Sequence, residues 1–452
     1  MNRLTFHITS LGCAKNSVDS ASMAQLLERE GYCAARTPQE ADVMIVNTCG
    51  FIEPARQESY SVLRALAEIK RPGQWLIAAG CLTQRYGMEV AQRVPGVDGI
   101  LGARRWMDIV TLVRTLRARP ASAARAVTCH LPAVETVGRD EAGVLRAALA
   151  GTSAYLKIAD GCDRPCAFCA IPLIKGPAVS RPLPTLIEEA RLLQQRGVRE
   201  LILIAQDTTA YGQDLGLKDG LVTLLRAILR EAPQIDWIRL LYAFPGAVSE
   251  GLMELMATEP RLLPYLDMPL QHAHPDTLRR MRRPANMDWV YRTLARMRAT
   301  IPGLAIRTAF IVGYPGETEA EFQTLLDFVR AMRFDRVGVF LYSFEAGTPA
   351  EALGDPIPPE VKEERYQRLM ELQQSISLQI NQTFVGQRLH VLVEGYSQGG
   401  RRRGMELSVG RSYRDAPEID GLVLIEGRAA IGDIVPVHIT DALAYDLIGQ
   451  LG

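Results

Sequence analysis

The chain has 452 residues, 48% of them hydrophobic and 23% charged, which is enough apolar material for two or three packed domains. Lys plus Arg equals Asp plus Glu at 51 each, excluding the global basic field that would hold nucleic acid in bulk. No apolar run reaches membrane-spanning length, the first residues lack a signal-peptide core, and eight cysteines fit a reducing compartment, so a cytoplasmic protein is expected.

The first domain reads as β-α-β-α-β, with strands over Leu4–Ser10, Asp42–Asn47 and Trp75–Ala79. Helices are expected from about Val18 to Glu30 and from about Ala55 to Lys70, stopped by Gly31 and by Arg71-Pro-Gly. That alternation predicts a parallel sheet with helices on its faces. Cys13, Cys49 and Cys81 each follow the carboxyl end of a strand, and parallel strands bring those ends to one edge. Three distant cysteines can therefore meet at one site, with Gly12, Gly50 and Gly80 allowing close backbone approach. Three ligands leave a coordination position open. Cys33, after a helix, and Cys129, in an Ala/Arg/Thr-rich linker, read as structural or free thiols. The linker is expected to carry a short hairpin around Leu131–Val137.

A strand over Tyr155–Ile158 leads into Asp160-Gly-Cys-Asp-Arg-Pro-Cys-Ala-Phe-Cys, where Cys162, Cys166 and Cys169 are spaced C-x3-C-x2-C. Three thiolates on one loop suit an iron–sulfur cubane with its fourth iron open. A zinc site wants a fourth Cys or His, yet the nearest downstream His is His272 and no Cys follows Cys169. Five more strands are expected over Glu200–Ala205, Trp237–Tyr242, Tyr265–Leu270, Ala305–Val312 and Arg336–Tyr342, alternating with helices. Six βα units are too few for a closed eight-stranded barrel. Lys175 and Arg181, soon after the triplet, could pair with carboxylates or be solvated, and His272 is as readily a satisfied loop histidine as a substrate-side group.

A charged, 3.6-periodic helix from Pro359 to about Phe384 leads out of this region. Short alternating strands over Arg388–Val393, Glu406–Arg411, Leu422–Glu426 and Asp433–Ile439 then predict a small barrel of about five strands. From Thr383 onward there are seven arginines, no lysine and nine acids, a net charge of −2. That balance suits a basic protein partner better than phosphates, although Arg401-Arg-Arg could make a local phosphate contact.

With Phe168 before its last cysteine, the Cys162/Cys166/Cys169 loop resembles the signature of the radical S-adenosylmethionine (SAM) enzymes. In that family the open iron chelates SAM, and an electron from the cluster cleaves the sulfonium to a 5′-deoxyadenosyl radical. The resemblance implies an incomplete (β/α)6 barrel whose strand ends contact SAM, and it assigns Phe168, Gln206, Asp207 and Gly313 to that pocket. The last module is similar in size and position to a TRAM domain. The expected fold is thus α/β, with an N-terminal parallel αβα domain (2–118), a linker (119–147), a radical SAM barrel (148–383) and a small all-β TRAM barrel (384–452).

Cys13, Cys49 and Cys81 ahead of such a triplet resemble the methylthiotransferase family across nearly the whole chain. Ser10-Leu-Gly-Cys-Ala-Lys-Asn, Tyr265-Leu-Asp-Met-Pro-Leu-Gln-His-Ala, Phe310-Ile-Val-Gly-Tyr-Pro-Gly-Glu-Thr and Val409-Gly-Arg-Ser-Tyr-Arg-Asp-Ala-Pro-Glu-Ile-Asp-Gly place it nearest the branch acting on a ribosomal protein. Ala14 and Lys175-Gly depart from that pattern without touching a ligand. The resemblance implies two [4Fe–4S] clusters, on Cys13/Cys49/Cys81 and on Cys162/Cys166/Cys169, and two SAM molecules per turnover. One SAM methylates sulfur at the first cluster. The other gives the radical that takes hydrogen from the β-carbon of an aspartate in the decoding-centre protein of the small subunit, leaving 3-methylthioaspartate. A low-potential electron donor of flavodoxin or ferredoxin type and a sulfur donor are the implied partners, with no membrane or DNA. Methylthiolation of a tRNA adenosine is the alternative, and a non-enzymatic iron–sulfur carrier or RNA-binding sensor a third.

Overall fold

A computed structural model describes residues 4–119, 126–138, 143–402 and 405–452. Strands β1 (Thr5–Ser10), β2 (Cys33–Ala34), β3 (Val43–Thr48), β4 (Trp75–Gly80), β5 (Gly99–Gly102) and β6 (Thr128–His130) pair in parallel, in the order β2-β1-β3-β4-β5-β6. Helices α1 (Ala14–Arg29), α2 (Glu53–Ile69), α3 (Cys81–Tyr86), α4 (Glu89–Arg93) and α5 (Ile109–Arg117) cover both faces. The apolar run of β3 serves two cores at once. Val43 and Ile45 pack with α1 and α5, while Met44 and Val46 pack with α2, α3 and α4.

Two expectations about this domain are corrected. The first helix begins at Ala14 and not near Val18, because its polar first turn, Ala-Lys-Asn-Ser, hides the start from a reading of apolar spacing. Leu131–Val137 forms no hairpin. Thr128–His130 joins β5 as a parallel edge strand, a segment of three residues being too short to show in sequence, and it draws Cys129 and part of the expected linker into the sheet.

The second sheet contains β7 (Ala147–Ala150) and β8 (Ser153–Lys157), then, past the short antiparallel pair β9 (Ala159–Asp160) and β10 (Val179–Ser180), β11 (Glu200–Ile204), β12 (Trp237–Leu240), β13 (Leu262–Asp267), β14 (Ala305–Val312) and β15 (Arg336–Leu341). Its order is β15-β14-β13-β12-β11-β8-β7, six parallel strands as expected plus the antiparallel edge strand β7, which was not. Helices α6 (Ile171–Lys175), α7 (Leu183–Gln195), α8 (Gly220–Glu231), α9 (Glu250–Thr258), α10 (Pro275–Arg280), α11 (Met287–Thr300), α12 (Glu319–Met332) and α13 (Pro359–Gln382) complete it. One large core joins the sheet to α7, α8, α9, α11, α12 and α13. The other face of the sheet meets the rest of the chain: Tyr155, Ile202 and Tyr265 pack with Val18 of α1 and with Leu392 and Ala416 from the end of the chain. The barrel is open, and its inner face is covered by parts of the two flanking domains.

The last module is a closed barrel, β16 (Arg388–Arg402), β17 (Met405–Ser412), β18 (Val423–Glu426), β19 (Ile434–Ala442) and β20 (Leu447–Leu451), in the order β16-β17-β18-β20-β19. Its Arg411 is buried and forms ion pairs with Glu200 at the start of β11, where Arg239 and the Ser153 hydroxyl also bind. Arg414 pairs with Asp335, Asp415 with Arg336, and Asp420 accepts the Tyr265 hydroxyl. Of the charges that the sequence reading counted towards a partner, Arg411, Arg414, Asp415 and Asp420 are committed inside the molecule, while Arg388, Glu418, Asp433 and Asp441 are exposed. Two arginines and two acids are thus withdrawn together, which leaves the net charge of the module as it was. Arg401–Arg403 lies outside the residues whose side chains are described. Among the described residues, no helix is long and apolar enough to cross a membrane.

Candidate functional site

Cys13 stands three residues past β1 as the residue before α1, Cys49 directly follows β3, and Cys81 opens α3 directly after β4. The glycines beside them bring the three loops together. A Cβ on Gly12 would lie 2.9 Å from the Cys49 Cβ and 3.0 Å from its Sγ, and one on Gly50 would lie 2.6 Å from Leu82 Cα. Gly80 has φ of +100°, and a Cβ there would strike Asn47 Oδ1 at 2.4 Å. Asn16, buried on the first turn of α1, ties the loops from inside. Its amide donates to the carbonyls of Leu11 and Thr48 at 2.8 and 3.1 Å, and its Oδ1 lies 3.7 Å from Cys81 Sγ. Ser59 brackets Cys49, accepting from its N–H and donating to its carbonyl.

The second triad sits on one loop after β9. The Cys162 N–H donates to Gly176, Ala167 donates to Met281, and Ala350 donates to Ala167. Arg283 reaches back with a guanidinium N–H 3.4 Å from Cys166 Sγ, and the backbone N–H of Arg164 lies 3.5 Å from Cys162 Sγ. The two guanidiniums hold Phe244 between them, at 4.0 Å for Arg164 and 4.2 Å for Arg283 from its ring centre.

Burial raises the Cys49 and Cys162 thiols and pushes those of Cys81 and Cys169 up to about 12. Desolvation opposes ionisation of Cys13 as well, but Lys15 and the N–H groups of Asn16 and Lys15 outweigh it and bring that thiol below its usual range.

The two cysteine loops meet at the carboxyl ends of the barrel strands, where Cys81 packs with Ala170, the residue after Cys169. Asp19 of α1 is buried and takes Lys157, Lys175 and Arg146, the last two at 2.8 and 2.6 Å. Asp160, two residues before Cys162, shares the same three cations at 3.2 to 3.6 Å. These cations hold the Asp19 carboxyl well below the usual range despite its burial. Glu345, beyond β15, binds Arg56 and Arg85 of the first domain, and Arg85 also donates to the Gly50 carbonyl. Lys15 extends from the Cys13 loop and places its ammonium 3.1 Å from the ring centre of Tyr242, two residues past β12.

Gln206 and Asp207 lie beside the triplet loop. Asp207 pairs with Arg164 at 2.7 Å and caps the next turn through Thr209, and Gln206 Oε1 is buried with no protein partner. Phe168 packs with Ala167, Met281, Tyr314 and Tyr342. Gly313 takes a positive φ, but its open side faces α13, where a Cβ would lie 2.4 Å from Lys362 Cγ. His272 is buried, its Nδ1 accepting from the His274 N–H and its Nε2 3.8 Å from Glu317 Oε1. Lys175 and Arg181 are both paired, with Asp19 and Glu189. Asn16, Lys15, Asp19, Tyr242 and Arg283 are site residues that the sequence reading did not single out. Spacings of three and seven from Cys13 would have placed Asn16 and Ser20 on its helical face. Nothing local signals the others.

Residues 5–102 match the model of the Uncharacterized protein family UPF0004, residues 156–329 that of the Radical SAM superfamily, and residues 385–451 that of the TRAM domain. The chain is 49% identical to the ribosomal protein uS12 methylthiotransferase RimO of Chloroflexus aurantiacus, over 99% of both chains. It belongs to the RimO methylthiotransferase family. The RimO protein of Roseiflexus sp. (strain RS-1) is 48% identical over 99% of this chain and 97% of its own. A radical SAM methyltransferase from Kitasatospora setae, TsrM with tryptophan and a SAM analogue bound, has the same fold, with a TM-score of 0.58 at 14% identity, covering 89% of this chain and 79% of that one.

As a RimO-family methylthiotransferase the chain is a radical SAM enzyme, with [4Fe–4S] and SAM as its cofactors. The donor sets fit clusters better than single ions. Zinc–sulfur bonds of about 2.3 Å would hold thiolates roughly 4 Å apart. Among the described residues, the one group of three metal-binding side chains whose ligand atoms all lie within 4.8 Å is His274, Asp276 and Glu321. Neither cysteine triad closes that tightly. The His274 group is already occupied by Arg280, which pairs with Glu321, and by Arg279, which pairs with Asp276.

Proposed function

We propose that this chain inserts a methylthio group at the β-carbon of an aspartate in ribosomal protein uS12, giving 3-methylthioaspartate. Cys13, Cys49 and Cys81 would hold one [4Fe–4S] cluster and Cys162, Cys166 and Cys169 the other, with Phe168, Gln206, Asp207 and Gly313 around SAM. Bound there, the clusters and SAM supply a carbon-centred radical and a methylated sulfur. The observation that carries the reading is that two triads, each of three cysteines, border one barrel mouth and are joined through buried Asp19 and Asp160.

The chain's own residues then have definite tasks. The Asp19–Lys157–Lys175–Asp160 network fixes the separation of the two cysteine sites, as transfer between them requires. Arg283 directs an N–H at Cys166, stabilising negative charge on that sulfur. The orphaned Gln206 Oε1 offers an acceptor for an ammonium or hydroxyl donor of SAM. A low-potential electron donor, a sulfur donor and a cytoplasmic setting complete the reading. Incubating the reconstituted enzyme with SAM, reductant and uS12 tests it: the mass of uS12 rises by one methylthio group, and an unchanged mass, or methylthio-adenosine made from tRNA in its place, overturns it.

A further inference from the structure

The reacting carbon of an aspartate is bonded directly to its carboxylate carbon. Placing that carbon between the two cysteine sites places a full negative charge beside them and strips it of water, at a cost of several kcal/mol unless a cation receives it. The cations at the mouth are almost all committed. Lys157, Lys175 and Arg146 are bound to Asp19 and Asp160, and Arg164 is bound to Asp207. Arg283 donates to the Pro269 carbonyl and to Cys166. Lys15 is different. Among the described residues no carboxylate forms an ion pair with it; its ammonium rests on the face of Tyr242, and the Cys13 sulfur and Asp267 attract it without pairing.

The position of Lys15 also suits the task. It lies two residues from Cys13, while Tyr242 accepts through its carbonyl from the N–H of Thr208, next to Asp207, which holds Arg164 of the triplet loop. A continuous path of contacts thus runs from one cysteine site to the other, with the Lys15 ammonium along it. Tyr242 is held at a φ of +64°, a strained conformation for a side chain of its size, and such strain collects at binding sites.

We propose that Lys15, seated on Tyr242, receives the side-chain carboxylate of the substrate aspartate and so selects an acidic residue for methylthiolation. This assignment rests on the reading of the chain as an aspartate methylthiotransferase. Lys15 supplies charge and direction, and the aromatic face keeps its long side chain in one place.

The test is a two-by-two comparison of wild type and Lys15→Met against uS12 and its target Asp→Asn variant, using cluster-loaded full-length enzyme. Binding is read by fluorescence anisotropy of labelled uS12, and kcat and KM are taken per loaded protein. A hydrogen bond to a charged group contributes about 1.5–3 kcal/mol, so Lys15→Met should weaken binding of uS12 by roughly 10- to 100-fold. The Asp→Asn protein should bind wild type about as poorly, with less than about threefold further loss in Lys15→Met. Lys15→Arg should recover most of the affinity, and Tyr242→Leu should lose part of it. Equal proportional losses on both substrates, or binding of uS12 unchanged by Lys15→Met, would overturn the assignment. Should wild type bind uS12 but transfer nothing, the proposed activity fails while the binding comparison still decides the role of Lys15.

Discussion

At the amino ends of the barrel strands, buried charge meets buried charge: Glu200 takes Arg239 and Arg411 at 2.7 and 2.6 Å, with all three side chains at most 1% exposed. At the carboxyl ends, Gln206 Oε1, an Arg164 N–H and an Arg283 N–H are buried without protein partners, and Tyr242 and Gln271 take positive φ. The base leaves two N–H groups unspent on Arg336 at the start of β15, whereas at the mouth such groups gather beside the triplet loop. The difference teaches where each module's chemistry is used. The last module contributes its arginines to closing the base, and the first contributes Cys13, Lys15 and Asp19 to opening a site at the mouth.

The largest effect expected at the mouth comes from the triplet. Replacing Cys162, Cys166 and Cys169 together by alanine should abolish SAM cleavage and halve the iron content, measured as iron, sulfide and 5′-deoxyadenosine after anaerobic reconstitution. Loss of all the iron would break the assignment of a second site to Cys13, Cys49 and Cys81.

At the base, Arg411→Met strands the Glu200 carboxylate beside Arg239 alone, and breaking such a buried network costs about 3–5 kcal/mol. Denaturant unfolding should register that loss, while the folded, loaded fraction still cleaves SAM.

Acid should find the same weakness. Burial would raise Glu200, but Arg239 and Arg411 hold its carboxyl down at about 2, against 4.5 in the unfolded chain. Its stabilisation is therefore present above pH 4.5 and fades as pH falls towards 2. Glu200→Gln should flatten the dependence of unfolding free energy on pH across that window, and an unchanged slope would mean that other carboxylates dominate it.

The smallest effect is predicted back at the mouth. Phe244→Leu removes the ring between two guanidiniums and should cost about 1 kcal/mol. A loss as large as that of Arg411→Met would erase the contrast between the two ends.

Much of this was readable in the chain itself. The apolar run of β3, the helices α11 and α12 and the six parallel strands carry local periodicity strong enough to fix their type, and the cysteines after β1, β3 and β4 announce a shared edge. What stayed hidden depends on contacts far apart in sequence. Arg411 is 211 residues from Glu200, and no local pattern distinguishes it from a solvated arginine. The same holds for Lys15, whose neighbour Tyr242 is set by the packing of two domains. Charge counting over the last module could not separate Arg411, Arg414 and Asp415, spent between domains, from charges that face outward, for this reason. Burial, which sequence does not print, decided which charges face outward.

The buried carboxylate of Asp19 has a consequence for synthesis. Its partner Lys175 lies 156 residues further along the chain. On a ribosome adding about 5–20 residues per second, helix α1 waits roughly 10–30 s for that lysine to be made. Its other cations, Arg146 and Lys157, lie 127 and 138 residues along, so every counter-charge of Asp19 is made after the first domain is complete, and until then that side of α1 faces water. The charged joint between the two cysteine-bearing domains therefore closes only after the loop carrying the second site has left the ribosome.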